Sequence, residues 1–202
     1  MSLVRTSGRQ TPLTLRRWTR LEYERLVELG MFESEPLELI GGQLVVAEPQ
    51  YPYHASGITR VDYAIRAILP PGWIVRLQSP VALDDDSEPE PDLVVVAGSV
   101  ADYDHAHPSR VALAVEVAES SLAFDREHKA GAYARAGVED YWIVNLVDRV
   151  LEVHRDPEAD PVAVFGWRYR SVTMLAPPAV VAPLAFPASP IPVADLLPRR
   201  PS

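Results

Sequence analysis

The chain contains no cysteine. That excludes disulfides, thiolate zinc sites and cysteine nucleophiles, so any metal must be held by oxygen or imidazole, and a reducing interior suits the chain. Long hydrophobic runs are also lacking. The opening MSLVRTSGRQ has no apolar core of signal-peptide length, and the most apolar stretch, residues 174 to 198, is broken repeatedly by proline. A cytoplasmic protein without a membrane partner is expected. Positive charge is in deficit, with 19 Lys+Arg against 28 Asp+Glu and a net charge of −9. An average of that sign argues against a surface that grips nucleic acid through many phosphate contacts. It does not exclude a local basic face: Arg5, Arg9, Arg16, Arg17, Arg20 and Arg25 crowd near one end, and carboxylates gathered at a metal site add negative charge of their own.

The 202 residues, 48% hydrophobic and 23% charged, suit one globular domain with a single substantial core. Thr19-Arg20-Leu21-Glu22 has the form of a capping box, and Tyr23, Leu26 and Val27 follow at helical spacing before Gly30, which predicts a helix over about 19–29. LELIGGQLVV turns on Gly41 and Gly42, a hairpin with strands near 37–40 and 43–47. Ile58, Val61, Ile65, Ile68 and Leu69 form one stripe of a second helix over 53–69, closed by Pro70, Pro71 and Gly72. Strands are then expected at WIVRLQ, a short VAL, DLVVV and RVALAVEVA. Asp125 can cap a helix to about Ala136, with Gly137 as its stop, and YWIVN and VLEVH flank LVDR as a hairpin. One more strand near 167–173 precedes a tail with too many prolines for a helix or central strand; it is expected to lie extended over the domain with Leu196 and Leu197 tucked in. The sequence has no internal repeat.

In RVALAVEVA, alternation sets Val111, Leu113, Val115 and Val117 on one face and Ala112, Ala114, Glu116 and Ala118 on the other. Glu116 either sits exposed or salt-bridged at a strand end, or lies buried among alanines that leave room for a cation, a metal or a proton. Asp92 heads the preceding strand in EPEPDLVVV. If the two strands are neighbours, both carboxylates can converge on one Mg²⁺, which accepts two carboxylates and completes its octahedron with waters and substrate oxygens. Lys129 follows on the helix leaving Glu116's strand, either solvated or folded back to orient a water or stabilise charge on phosphate. Tyr141 and Trp142 read as core or interface, and His105 and His107 as part of a solvated loop.

The order PDLVVV, ALAVEVAESS and DREHKAGAYARAGVEDYWIV, preceded by LELIGGQLVV and Tyr53-His54, resembles the Uma-two family of restriction-endonuclease-like proteins in the PD-(D/E)XK nuclease superfamily. The likeness spans about residues 19–175. It implies an α/β fold with a mixed central β-sheet flanked by helices and additional hairpins. Residues 1–18 would form an N-terminal arm, 19–175 the nuclease-like domain and 176–202 a proline-rich tail packed on it. The resemblance implies Asp92 and Glu116 as metal ligands, with the carbonyl of Val117 as a further oxygen. The superfamily's lysine would fall two residues after the glutamate, where this chain has Ala118, and the family pattern carries it instead at Lys129. Glu38 and His54 match positions typical of the family as additional site residues.

The function expected on these grounds is a Mg²⁺-dependent DNA endonuclease, with Mn²⁺ as an alternative cofactor, that hydrolyses phosphodiester bonds with a metal-activated water. The alternatives are a catalytically silent nucleic-acid-binding or protein-interaction domain on the same fold, and a hydrolase of a small phosphorylated substrate. Cutting both strands of a duplex would suit a homodimer, for which the apolar YWIV hairpin is one contact.

Overall fold

A computed structural model describes residues 14–46 and 51–199. Residues 1–13 of the expected arm, with Arg5 and Arg9, lie outside the described residues, as do position 47 of the expected hairpin strand and positions 200–202 of the tail. Helix α1 (Arg20–Glu28) begins with the capping box intact: the Thr19 hydroxyl accepts from the Glu22 N–H, and the Glu22 carboxylate accepts from Thr19 N at 3.1 Å. The helix docks through buried Tyr23, whose hydroxyl donates to the Leu37 carbonyl at 2.6 Å. Strands β1 (Leu37–Ile40) and β2 (Gln43–Val46) pair across Gly41 and Gly42, at φ 56° and 76°, the left-handed turn that favours glycine.

The core is a six-stranded sheet in the order β3-β4-β5-β6-β7-β8, comprising Trp73–Leu77, Leu93–Ala97, Leu113–Ala118, Asp140–Asn145, Val150–Ala159 and Trp167–Leu175. Every neighbouring pair is antiparallel except β5 and β6. That parallel pair requires a crossover, supplied by α3 (Leu122–Phe124), a π-helical turn (Asp125–Lys129) and α4 (Ala130–Arg135). On one face, Leu93, Val95, Val115 and Val117 meet Ile58, Val61 and Ile65 of α2 (Pro52–Ile68). On the other, Val94, Val96, Ala114 and Ala118 meet Tyr133 and Ala134 of α4. With both faces covered, β4, β5 and β6 read as nearly unbroken apolar runs.

Past β8 the chain forms a two-stranded ribbon, β9 (Val180–Val181) with β10 (Ile191–Pro192), then a short α5 (Val193–Leu196). Leu196 and Leu197 are buried in the same cluster as α2. Among the described residues no helix is long and apolar enough to cross a membrane.

Four expectations need correcting. The tail is not extended throughout: its proline-free stretch Val193–Leu196 turns as a short helix after the β9–β10 ribbon. The short VAL strand does not form; residues 81–83 run as coil beside isolated bridges at Asp84–Ser87 and Leu39–Glu88. Asp125 does not cap a helix, because the helical stretch starts earlier, at Leu122, and Asp125 lies buried inside the π turn. The YWIV segment cannot serve as a dimer contact: it is the central strand β6, and Tyr141, Trp142, Ile143 and Val144 have no exposed surface.

Candidate active site

The register of β4 against β5 pairs Leu93 with Val115 and Val94 with Ala114. Continuing that antiparallel ladder by one residue sets Asp92 opposite Glu116, where β4 begins and β5 is about to end. Backbone donors hold both carboxylates. Val117 N donates to Asp92 Oδ2 at 2.7 Å, and Asp92 N to Glu116 Oε2 at 3.4 Å. Directly after β5 the chain enters the crossover helix, so whatever that helix turns inward lies over the pair.

It turns Lys129 inward. A π turn carries an extra residue relative to an α turn, and such turns recur at functional sites because they rotate the following side chains without ending the helix. Here Asp125 and Lys129 are both buried. Lys129 Nζ stands 3.1 Å from Glu116 Oε1 and 3.3 Å from Glu38 Oε2. One turn on, the Tyr133 hydroxyl donates to the same Glu116 Oε1 at 2.8 Å.

The two remaining predicted residues arrive from distant segments. The β1–β2 hairpin is stitched to the loop before β4 by the Leu39–Glu88 bridge and brings in Glu38, whose Oε2 also accepts from Glu90 N at 3.1 Å. The first turn of α2 brings His54, whose Nε2 lies 3.3 Å from Asp92 Oδ1. Asp92, Glu116, Lys129, Glu38 and His54 thus line one cavity of about 420 Å³. Sequence reasoning passed over Glu90, Glu119 and Tyr133 as site residues and gave Asp125 a capping role; Glu90, Glu119 and Asp125 share the cavity. The 125, 129, 133 spacing was the available signal for Tyr133 and Asp125. A second was the identity of Lys129 as the chain's only lysine, in a protein whose other strong bases are all arginine.

Six carboxylates face one lysine and one histidine in this cavity. Burial pushes Glu116 well above the usual carboxylate range, although the Lys129 charge opposes it. Asp125 rises to about 6, again chiefly by burial, against the Lys129 charge and the hydrogen bond from Ser121. Burial would lower Lys129, yet the charges of Glu116, Glu38, Asp125 and Asp92 outweigh it and hold the amine as ammonium. His54 is likewise raised: burial opposes protonation, and the hydrogen bond and charge of Asp92 prevail.

The donor set suits a hard divalent cation. It offers only oxygen ligands beside one imidazole, and its excess negative charge is not neutralised by Lys129 and His54 together. Among the described residues no three histidine, aspartate or glutamate side chains are gathered closely enough to hold a metal by themselves. Mg²⁺ needs no such cage, since it binds through one or two carboxylates and keeps several waters.

Comparison with known proteins places this chain in a family. A family model, "Uma2: Putative restriction endonuclease", matches residues 21–194. The crystal structure of "a putative nuclease belonging to DUF820" from Anabaena variabilis ATCC 29413 is similar with a TM-score of 0.64 at 14% identity, covering 88% of this chain and 96% of that one. At that identity the likeness is one of fold. No curated protein matches the chain.

Proposed function

From the premise that this chain belongs to the Uma2 family, described as putative restriction endonucleases, we propose that it is a divalent-metal-dependent DNA endonuclease. Asp92 opposite Glu116 at the start of β4, with Lys129 Nζ 3.1 Å from Glu116, is the observation that carries this reading. Asp92 and Glu116 are the residues that would hold Mg²⁺ or Mn²⁺. The metal would supply Lewis-acid stabilisation of phosphate charge and a more acidic water.

The chain's own residues account for the rest of the chemistry. Hydrolysis adds a water oxygen to phosphorus, breaks the bond to one sugar oxygen and moves a proton from the water to that leaving oxygen. Lys129, held as ammonium, acts as a donor and counter-charge to the phosphate oxygens and not as a base. Tyr133 and the Val117 N–H fix the two carboxylates in orientation. His54, against Asp92 Oδ1, limits how that carboxylate can turn. Asp125, raised to about 6, is an acid whose proton exchanges near neutral pH within the same cavity.

A second reading, a silent domain on the same fold, draws on one observation: Lys129 already bridges Glu116 and Glu38 and so supplies part of the counter-charge a metal would bring. The deciding experiment is cleavage of supercoiled plasmid and single-stranded DNA with Mg²⁺ or Mn²⁺, with wild type beside Glu116→Gln and Lys129→Met. Cleavage by wild type and by neither variant, with both variants shown to be folded, supports the nuclease. No cleavage by folded wild type, together with no metal binding in calorimetry, moves the assignment to the silent domain.

A further inference from the structure

The wall facing the carboxylates is apolar and partly aromatic. Val45, Val46, Tyr51, Ala123 and Phe124 line it. Tyr51 is 63% exposed and Val46 53% exposed, an unusual amount of free apolar surface beside a buried acidic cluster. The Phe124 ring is held by stacking on His128, with centroids 4.8 Å apart and planes 12° from parallel. A second hollow, of about 540 Å³, adjoins the first and shares Tyr51, Glu119 and Ser120 with it; Pro52 and Tyr53 complete its lining. The Tyr53 ring is itself fixed, its hydroxyl accepting from Arg149 at 2.7 Å. Tyr51 therefore stands as a partition between two neighbouring hollows.

Cations are nearly absent among the described residues of this surface. Among the described residues lining the two hollows, Lys129 is the sole lysine or arginine, and it is engaged by Glu116 and Glu38. The arginines on and before α1 do not compensate: Arg16 pairs with Glu22, Arg20 with Glu24 and Arg25 with Glu28, while Arg17 donates to the Gly41 carbonyl. A duplex carries one phosphate per about 1.7 Å of axis, twice the density of one strand, and keeps its bases stacked inside; the described residues of these hollows offer little counter-charge for it. Aromatic rings with open faces attract unpaired bases instead, because every base has a π-face and stacking tolerates any sequence.

We infer that the substrate is engaged as single-stranded DNA, with one unpaired base against the Val46–Phe124 wall and its neighbour on Tyr51 towards Tyr53. The scissile phosphate then lies over Asp92 and Glu116. This rests on the nuclease reading for the chemistry, while the base subsites stand on the two hollows alone.

The test uses the full chain and a fluorescent oligonucleotide, single-stranded or annealed to its complement, in paired binding and Mn²⁺-dependent cleavage measurements on wild type, Tyr51→Ala, Tyr51→Phe and Phe124→Ala. Tyr51 is exposed, so its replacement does not threaten folding. The single strand should bind at least tenfold more tightly than the duplex, with a shallow salt dependence. Tyr51→Ala should weaken binding and raise KM by about tenfold, the range for one lost base stack, with kcat little changed, and Tyr51→Phe should behave as wild type.

Equal binding and cleavage of duplex, or an unchanged KM in Tyr51→Ala, overturns the inference and leaves the nuclease standing. A single-strand preference lost in Tyr51→Ala, without cleavage of any substrate, sustains the base subsites and removes the nuclease. Competition by free mononucleotide as strong as by the oligonucleotide overturns the single-strand assignment in favour of a small phosphorylated substrate.

Discussion

Lys129 Nζ stands 3.1 Å from Glu116 Oε1 although the two residues belong to different elements, a crossover π turn and the strand it leaves. Both are buried, and both depend on the contact: the ammonium has no other escape from desolvation than its carboxylate neighbours, and Glu116 meets no second lysine because the chain has none.

Removing one partner should therefore cost more than removing both. Lys129→Met leaves a buried acid pair facing each other and should destabilise the fold by about 3–5 kcal/mol, the usual cost of an orphaned buried charge. The double variant Lys129→Met/Glu116→Gln should recover much of that loss in urea unfolding. Additive losses would mean that the pair is not coupled.

Because Lys129 is the only lysine, its side-chain nitrogen gives a single NMR signal in a uniformly labelled sample, apart from the N-terminus. Its raised pKa predicts an ammonium that persists above the ordinary lysine value. The stability it contributes is full below the unfolded value and is lost as pH rises through the folded one. A signal that titrates at or below about 10.4 would contradict this.

Glu152 offers an acid-side counterpart away from the site. It is buried at the β6–β7 pair, accepts hydrogen bonds from Arg126 Nε at 2.9 Å and Asn145 Nδ2 at 2.7 Å, and has its carboxyl lowered to about 2: burial opposes ionisation, and the neighbouring His154, 3.7 Å away, with the hydrogen bonds of Arg126 and Asn145, overcomes it. A depressed carboxyl stabilises above its unfolded pKa and loses that contribution as pH falls through the folded one. The window is about pH 4.5 to 2. Stability measured across that range should slope less in Glu152→Gln than in wild type.

The position of His54 depends on how closely α2 approaches the sheet. A Cβ on Gly57 would come 2.7 Å from Val117 Cγ1 of β5, so a side chain there forces either Val117 or the helix to give way. Gly57→Val should cost about 1–3 kcal/mol by overpacking and shift His54 from Asp92. The readout is thermal unfolding together with the His54 pKa, which should fall as the carboxylate recedes. An unchanged His54 titration would show that α2 had not moved.

Divalent cation should raise the melting temperature if Asp92 and Glu116 hold it. At a concentration a hundred times Kd the gain is ~2.7 kcal/mol. Asp92→Asn should abolish the rise with Mg²⁺ and Mn²⁺ alike. A rise that survives in Asp92→Asn would place the metal elsewhere.

Much of this was legible without coordinates. The capping box at Thr19–Glu22, the Gly41-Gly42 turn and the alternation that puts Glu116 among alanines are interactions between near neighbours, so their patterns stand in the sequence. Asp125 shows the limit. Its helix-cap appearance is a local motif, yet the chain starts its helix at Leu122 and inserts a π turn, because burying Asp125 beside Lys129 and Ser121 is decided by what packs above β5. The hairpin prediction for YWIVN was correct as a pairing of β6 with β7, but a pairing does not say how many further strands flank it, and so β6 was mistaken for a surface.

The sequence by itself determined most of the strands and helices, and the polar residues available to a site, since alternation, capping and turn chemistry act over a few residues. Only the tertiary structure decided that Glu38 and His54 reach Asp92, Glu116 and Lys129, and that Tyr51 divides two hollows beside them. Those meetings depend on strand order and on the approach of α2 and the β1–β2 hairpin to the sheet, which long-range burial sets and no local pattern encodes.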